Sequence, residues 1–189
     1  KRVAVSGAGN VSLHAAEKLL EQNAKVVTLS DTSGFVHAPK GLDEDQLDTI
    51  RERKAAGDSL SDIADGLDLK FEADARPWGV DCEIALPCAT QNELERDDAR
   101  KLAKAGCVAV AEGANMPTTP GAVDVLRDAG VLFAPGKAAN AGGVAVSALE
   151  MSQNALGLPW SRERVERRLQ EVMSAIHDRC VEHGRRDDG

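Results

Sequence analysis

The chain has 189 residues, a net charge of −8, 42% hydrophobic and 29% charged residues, and only 3% aromatics with no tyrosine. That length suits one globular domain able to bury roughly 70% of its unfolded surface, with a core of Ala, Val, Leu and Ile, while the acidity and the lack of a basic stripe exclude a nucleic-acid partner. No apolar run reaches membrane-spanning length, and the scattered histidines and the 4 cysteines show neither metal nor disulfide spacing, so buried reduced thiols in a cytoplasmic protein are expected.

Lys1-Arg2 stands directly before a buried strand, Val3 to Ser6, which reads as the start of a domain cut from a longer chain. Gly7-Ala-Gly9 is a tight turn, and Val11, Ala15, Ala16, Leu19 and Leu20 carry helical apolar spacing. Lys25 to Asp31 is a second buried strand that completes a βαβ unit. Ser33-Gly34, Phe35 to His37 and Pro39-Lys-Gly41 suggest a small surface hairpin, followed by charged helices over 42–54 and 60–67. Leu69 to Phe71 reads as a short strand and 72–80 as a loop. Alternation then resumes, with strands at 82–86, 107–111 and 131–133 and helices at 93–104 and from Thr119-Pro120, where threonine caps and proline takes the first helical position. A helix over about 140–156 is followed by a long one capped by Ser161, with Val165, Leu169, Val172, Ile176 and Cys180 on its apolar face, and a frayed tail over 185–189. Strands alternating with helices predict an α/β fold, a doubly wound, mostly parallel sheet with helices on both faces, in one domain over 1–189.

Polar, glycine-bearing loops follow the buried strands: Gly7-Ala-Gly-Asn-Val11, Pro87-Cys-Ala-Thr-Gln-Asn92, Glu112-Gly-Ala-Asn-Met-Pro-Thr-Thr119 and Ala134-Pro-Gly-Lys-Ala-Ala-Asn-Ala-Gly-Gly-Val144. Small residues at such places serve either close helix packing or the approach of a ligand to backbone amides. In an open parallel sheet these loops gather on one rim, so together they describe a nucleotide crevice.

Gly7-x-Gly9-x-x-Ser12 departs from the dinucleotide fingerprint only at its third glycine, a helix-packing position that tolerates a small residue. Asp31 lies at the end of the second strand, where an acid takes the adenosine ribose hydroxyls and favours NAD. Ser30 and Thr32 beside it can instead donate to a 2′-phosphate, with Lys54, Arg51 or Arg53 folding over it, so the residues alone leave NAD and NADP open. Asn115 and Asn140 suit a carboxamide or a ribose hydroxyl, or satisfy their own turns, and Thr90 suits the cofactor or caps the next helix. No catalytic group is evident: there is no Ser–His–Asp set, no phosphate-loop Gly-Lys-Thr, and Lys137 has no nearby paired acid.

The stretches IALPCATQNEL (84–94), AVAEGANMPTT (109–119), VLFAPGKAANAGGV (131–144) and LEMSQN (149–154) resemble the NADP-specific glutamate dehydrogenases of the hexameric bacterial type, and the resemblance covers nearly the whole chain. It implies the reversible conversion of L-glutamate, water and NADP⁺ to 2-oxoglutarate, ammonium and NADPH in a cytoplasmic homohexamer. It also implies that this region is the cofactor domain, a modified Rossmann fold with one strand reversed. The catalytic lysine and aspartate would then lie in an earlier domain, leaving this chain inactive alone. By the same resemblance Gly7, Gly9, Asn10 and Val11 line the pyrophosphate, Ser30, Asp31 and Thr32 surround the adenosine ribose, and Lys54 meets the 2′-phosphate. Ala89, Thr90, Asn115 and Asn140 contact the nicotinamide half, and Val144 and Ser147 touch the glutamate side chain. Competing readings are the same domain of a leucine or phenylalanine dehydrogenase, and a stand-alone dinucleotide-binding module.

Overall fold

A computed structural model describes residues 1–184, which fall into two compact units, the second beginning at Gly136. The first unit is built on seven strands: β1 (Arg2–Val5), β2 (Lys25–Asp31), β3 (Gly34–His37), β4 (Lys70–Ala73), β5 (Ile84–Leu86), β6 (Ala109–Ala111) and β7 (Leu132–Ala134). They form one 7-stranded sheet in the order β4-β3-β2-β1-β5-β6-β7. All neighbours run parallel except β3, which is antiparallel to both β2 and β4. The reversed strand is thus β3, and the rest of the sheet is the expected doubly wound α/β arrangement.

Five helices cover the sheet: α1 (Asn10–Glu21), α2 (Glu44–Ala56), α3 (Leu60–Gly66), α4 (Arg96–Lys104) and α5 (Pro120–Asp128). The alternation of side chains along each strand divides the interior in two. Val3 and Val5 join a core with Leu13 and Ala16 of α1, Leu47 and Ile50 of α2, and Leu60 and Ile63 of α3. Ala4, between those valines, joins the other core, with Ala99 and Leu102 of α4 and Ala122 and Leu126 of α5. Both faces are covered, which is why these strands read as unbroken apolar runs.

The structure corrects several sequence readings. The Phe35–His37 stretch is not a surface hairpin: Phe35 and Val36 are buried, β4 closes the far side of β3, and α3 lies against it. The region after β4 is not a simple loop, because Pro77–Gly79 forms a 3-10 turn that places Trp78 in the second core with no exposure. The helix expected from Glu93 begins only at Arg96, where Glu95 and Asp98 make a reciprocal capping box. Thr119 does occupy the cap position of α5, but its hydroxyl donates to the Leu94 carbonyl (3.3 Å).

The second unit contains α6 (Gly136–Ala139), α7 (Ala141–Leu156) and α8 (Arg162–Gly184). At Gly142 a β-carbon would lie 3.7 Å from Leu169 and 3.8 Å from Met173, so the small-residue start of α7 lets α8 come close. Ser161 accepts from the Arg164 N–H (3.4 Å), and the Arg164 guanidinium stacks 4.2 Å from the centre of the Trp160 ring. Cys180 is exposed, unlike the buried Cys82, Cys88 and Cys107, so the expectation of buried thiols fails there. The frayed tail expected over 185–189 lies outside the described residues.

Candidate functional site

Strand order places β2 and β5 on opposite sides of β1, so the chain's winding changes direction at the end of β1, where open α/β sheets form their crevice. Gly7 begins the loop there with φ +86°, a left-handed conformation that favours glycine. A β-carbon on Gly7 would lie 3.1 Å from the Cys88 carbonyl oxygen and 3.2 Å from the Ala89 Cα. One on Gly113 would collide with the Cys88 Sγ and reach within 3.4 Å of a Val11 methyl. The loops after β1, β5 and β6 therefore meet, and glycine is what allows them to. The Pro87 carbonyl accepts from the N–H groups of Gly113 (3.0 Å) and Ala114 (2.9 Å), tying the last two together.

Gly9 behaves differently. Its backbone is extended (φ −99°, ψ −169°), and a β-carbon there would meet nothing within 4 Å. The fold gives no internal reason for a glycine at this position. It is also the N-cap of α1, so the helix begins with no capping side chain and no acid in its first turn. No side chain among the described residues caps its leading N–H groups, and Asn10 and Val11 there are exposed. Ser12, the departure from the glycine fingerprint, is fully buried and donates its hydroxyl to the Gly9 carbonyl (2.9 Å), so it fits the packing position.

At the end of β2, the Asp31 carboxylate is fully engaged by the protein itself. One oxygen accepts from the Ser33 N–H (2.9 Å) and hydroxyl (2.5 Å); the other accepts from Lys54 Nζ (2.9 Å) and the Leu60 N–H (2.8 Å). Burial alone would raise its pKa, but these partners outweigh it and lower the value to about 2. Of the three cations read as candidates, only Lys54 reaches this place. Arg51 pairs with Glu17 and Asp48, and Arg53 with Asp58. Ser30 is buried and its hydroxyl accepts from the Gly7 N–H (2.8 Å), so it shapes the turn, whereas Thr32 is exposed.

In the loop after β5, Ala89 and Thr90 donate their N–H groups to Glu93 (2.9 and 3.3 Å), and Cys88 donates to Ser6 Oγ (2.9 Å). Thr90 does not cap α4, since that helix has its own cap at Glu95. Burial, and then the charge of Glu93, push the Cys88 thiol up to about 12, which makes it a packing group and not a nucleophile. After β6, the buried Glu112 accepts from the Thr118 N–H (3.1 Å), and Asn115 is presented on the exposed outer part of that loop.

Residues 1–188 match the family described as Glutamate/Leucine/Phenylalanine/Valine dehydrogenase. The chain belongs to that family. It is 51% identical over 186 residues to a glutamate dehydrogenase of Bacteroides thetaiotaomicron, covering 98% of this chain and 42% of the relative. It is 52% identical over 184 residues to the NADP-specific glutamate dehydrogenase of Escherichia coli, covering 97% and 41%, and 47% identical to an NAD(P)-specific one of Xylanibacter ruminicola, covering 100% and 43%. Its fold matches the crystal structure of Plasmodium falciparum glutamate dehydrogenase with a TM-score of 0.92 at 42% identity, over 96% of this chain and 39% of that one. The chain thus spans about two fifths of the length of these family members.

Of the residues expected at the site, Gly7, Gly9, Asn10, Val11, Ser30, Asp31, Thr32, Lys54, Ala89, Thr90 and Asn115 all lie at or near the carboxyl ends of β1, β2, β5 and β6. Asn140, Val144 and Ser147 belong to the second unit, around the start of α7; Val144 is 75% exposed. Sequence reasoning missed Ser6, Ser33 and Glu93. Each had a signal: a serine ending a valine-rich strand, a serine two residues beyond an aspartate, and the Thr90-x-x-Glu93 spacing of a local side-chain cap.

Proposed function

We propose that this chain is the cofactor-binding part of an NADP-dependent glutamate dehydrogenase, which interconverts L-glutamate, NADP⁺ and water with 2-oxoglutarate, ammonium and NADPH. Gly9 carries the reading: it is a glycine that the fold itself does not need, at an uncapped and acid-free helix start on the crevice rim. An anionic pyrophosphate fits there because backbone N–H groups and the helix dipole both favour negative charge. The engagement of Asp31 supports NADP over NAD. Both of its oxygens are already taken by donors of the protein, while it holds Lys54 at the end of β2 near the exposed Thr32.

When bound, the dinucleotide supplies the hydride acceptor or donor. The chain's own residues then bind and orient it: Gly7, Gly9, Asn10 and Val11 at the pyrophosphate, Thr32 and Lys54 at the phosphorylated ribose, and Ala89, Thr90 and Asn115 at the nicotinamide half. Val144 and Ser147 take the glutamate side chain. The proton-transfer groups come from the part of the enzyme outside this chain, and the complete enzyme is a cytoplasmic homohexamer. No helix among the described residues is long and apolar enough to cross a membrane.

The deciding experiment is a calorimetric titration of this chain with NADP⁺ and NAD⁺, beside its Gly9→Val variant. The side chain has open space, so the variant is expected to keep the parent's unfolding midpoint and lose binding. Unchanged NADP⁺ affinity in a folded Gly9→Val protein overturns the pyrophosphate assignment, and stronger binding of NAD⁺ than NADP⁺ by the parent overturns the cofactor choice.

A further inference from the structure

The loop after β5 spends its own amides on protein groups. The Cys88 N–H donates to Ser6 Oγ (2.9 Å), and the next two N–H groups, from Ala89 and Thr90, converge on one oxygen, Glu93 Oε1 (2.9 and 3.3 Å). The Ser6 hydroxyl in turn donates to the Glu93 carboxylate. Each part is consistent with the others: a serine hydroxyl accepts and has one hydrogen to give, and an ionised carboxylate only accepts. Ser6 is completely buried at the end of β1, immediately before Gly7. One carboxylate therefore fastens consecutive residues of the β5 loop to the strand that bears the glycine turn.

Building the neighbouring elements does not require this carboxylate. The capping box of α4 is complete without it, and Glu93 belongs to neither apolar core. Arg76 fixes the backbone from the other side by donating to the Glu93 carbonyl (2.9 Å), leaving the side chain aimed at the loop. Glu93 is half-buried, and the donors it accepts from offset the cost of partly desolvating its charge.

We propose that Glu93 is a positioning residue for the nicotinamide half of the bound dinucleotide, holding Cys88, Ala89 and Thr90 against the glycine turn so that the loop presents a fixed wall. This rests on the dinucleotide reading above. Because its N–H groups are occupied, the loop meets the ligand through the Thr90 hydroxyl and its carbonyl oxygens. The adenosine half lies at the end of β2 and does not depend on Glu93.

The test compares two ligands and two variants of this chain. Glu93→Ala removes the acceptor, whereas Glu93→Gln keeps one carbonyl oxygen where both amides converge. Affinity is measured for NADPH, by its fluorescence, and for 2′,5′-ADP, which lacks the nicotinamide half. Glu93→Ala is expected to weaken NADPH about tenfold, the equivalent of losing one to two hydrogen bonds of positioning, and to leave 2′,5′-ADP within about twofold. Glu93→Gln is expected to stay near the parent for both ligands. Amide hydrogen exchange without ligand gives an independent readout: Ala89 and Thr90 are protected in the parent and in Glu93→Gln and exchange freely in Glu93→Ala. Equal weakening of both ligands, unchanged NADPH binding in Glu93→Ala, unprotected parent amides, or a Glu93→Gln protein as weak as Glu93→Ala each overturns the proposal. If the parent binds 2′,5′-ADP and NADPH not at all, the dinucleotide reading falls first and the proposal with it.

Discussion

Asp31 and Glu93 occupy comparable places beside the crevice and meet opposite demands. Each accepts two backbone N–H groups and a serine hydroxyl: Asp31 from Ser33, Leu60 and the Ser33 hydroxyl, Glu93 from Ala89, Thr90 and Ser6. Asp31 also holds Lys54, and its pKa falls to about 2. Among the described residues no cation pairs with the Glu93 carboxylate, since Arg76 bonds its backbone carbonyl and acts on the charge only at a distance; burial dominates and its pKa is raised. The same donor set thus serves two ends. With a cation, the carboxylate aims a positive charge; without one, it orders a loop.

The largest expected difference is in stability. Asp31→Ala strands Lys54 and two buried-side N–H groups and is expected to lower the unfolding free energy by about 3 kcal/mol, measured by urea denaturation. Glu93→Ala removes an unfavourable burial together with its bonds and is expected to lose only about 1 kcal/mol. Equal losses break the comparison.

Acid gives the next largest effect, with opposite signs at the two sites. A value lowered from 3.8 to about 2 makes Asp31 worth at most about 2 kcal/mol, present above the ordinary aspartate value and lost as pH falls through about 2. Glu93, with a raised value, contributes in the other direction: its share is complete below the ordinary glutamate value of 4.5 and lost as pH rises through the folded value. Stability measured from pH 2 to 7 is expected to lose the low-pH fall in Asp31→Asn and the opposite trend in Glu93→Gln. A parent profile unchanged in both variants removes the electrostatic basis of the contrast.

A smaller and more selective effect is expected from Lys54→Ala. It weakens NADP⁺ about tenfold, equivalent to about 1.4 kcal/mol, and leaves NAD⁺ within about twofold. Equal weakening of both dinucleotides in a titration reassigns Lys54 to a purely structural partner of Asp31.

Much of this was legible in the sequence because it is local. Unbroken apolar runs mark strands covered on both faces, the Gly7-x-Gly9 turn sits between one such strand and a helix, and Lys25 to Asp31 was read with the bounds that the strand has. The polar small-residue loops were likewise recognisable by composition, and those after β1, β5 and β6 do meet. By contrast, nothing in the local pattern of Gly34–His37 says that it lies reversed between β2 and β4, because strand direction is decided by which partners close over it. Trp78 could not be placed either, since its burial depends on strands and helices far along the chain.

The tertiary structure alone decided which polar residues act together. Ser6 and Cys88 are 82 residues apart, and Lys54 and Asp31 are 23 apart. Hydrogen bonds and ion pairs across such separations leave no period in the sequence, as hydrophobic burial does. They exist only once the two cores have brought the strand ends together, so the sequence determined the sheet and its glycine-bearing rim, and the folded sheet determined what each carboxylate on that rim holds.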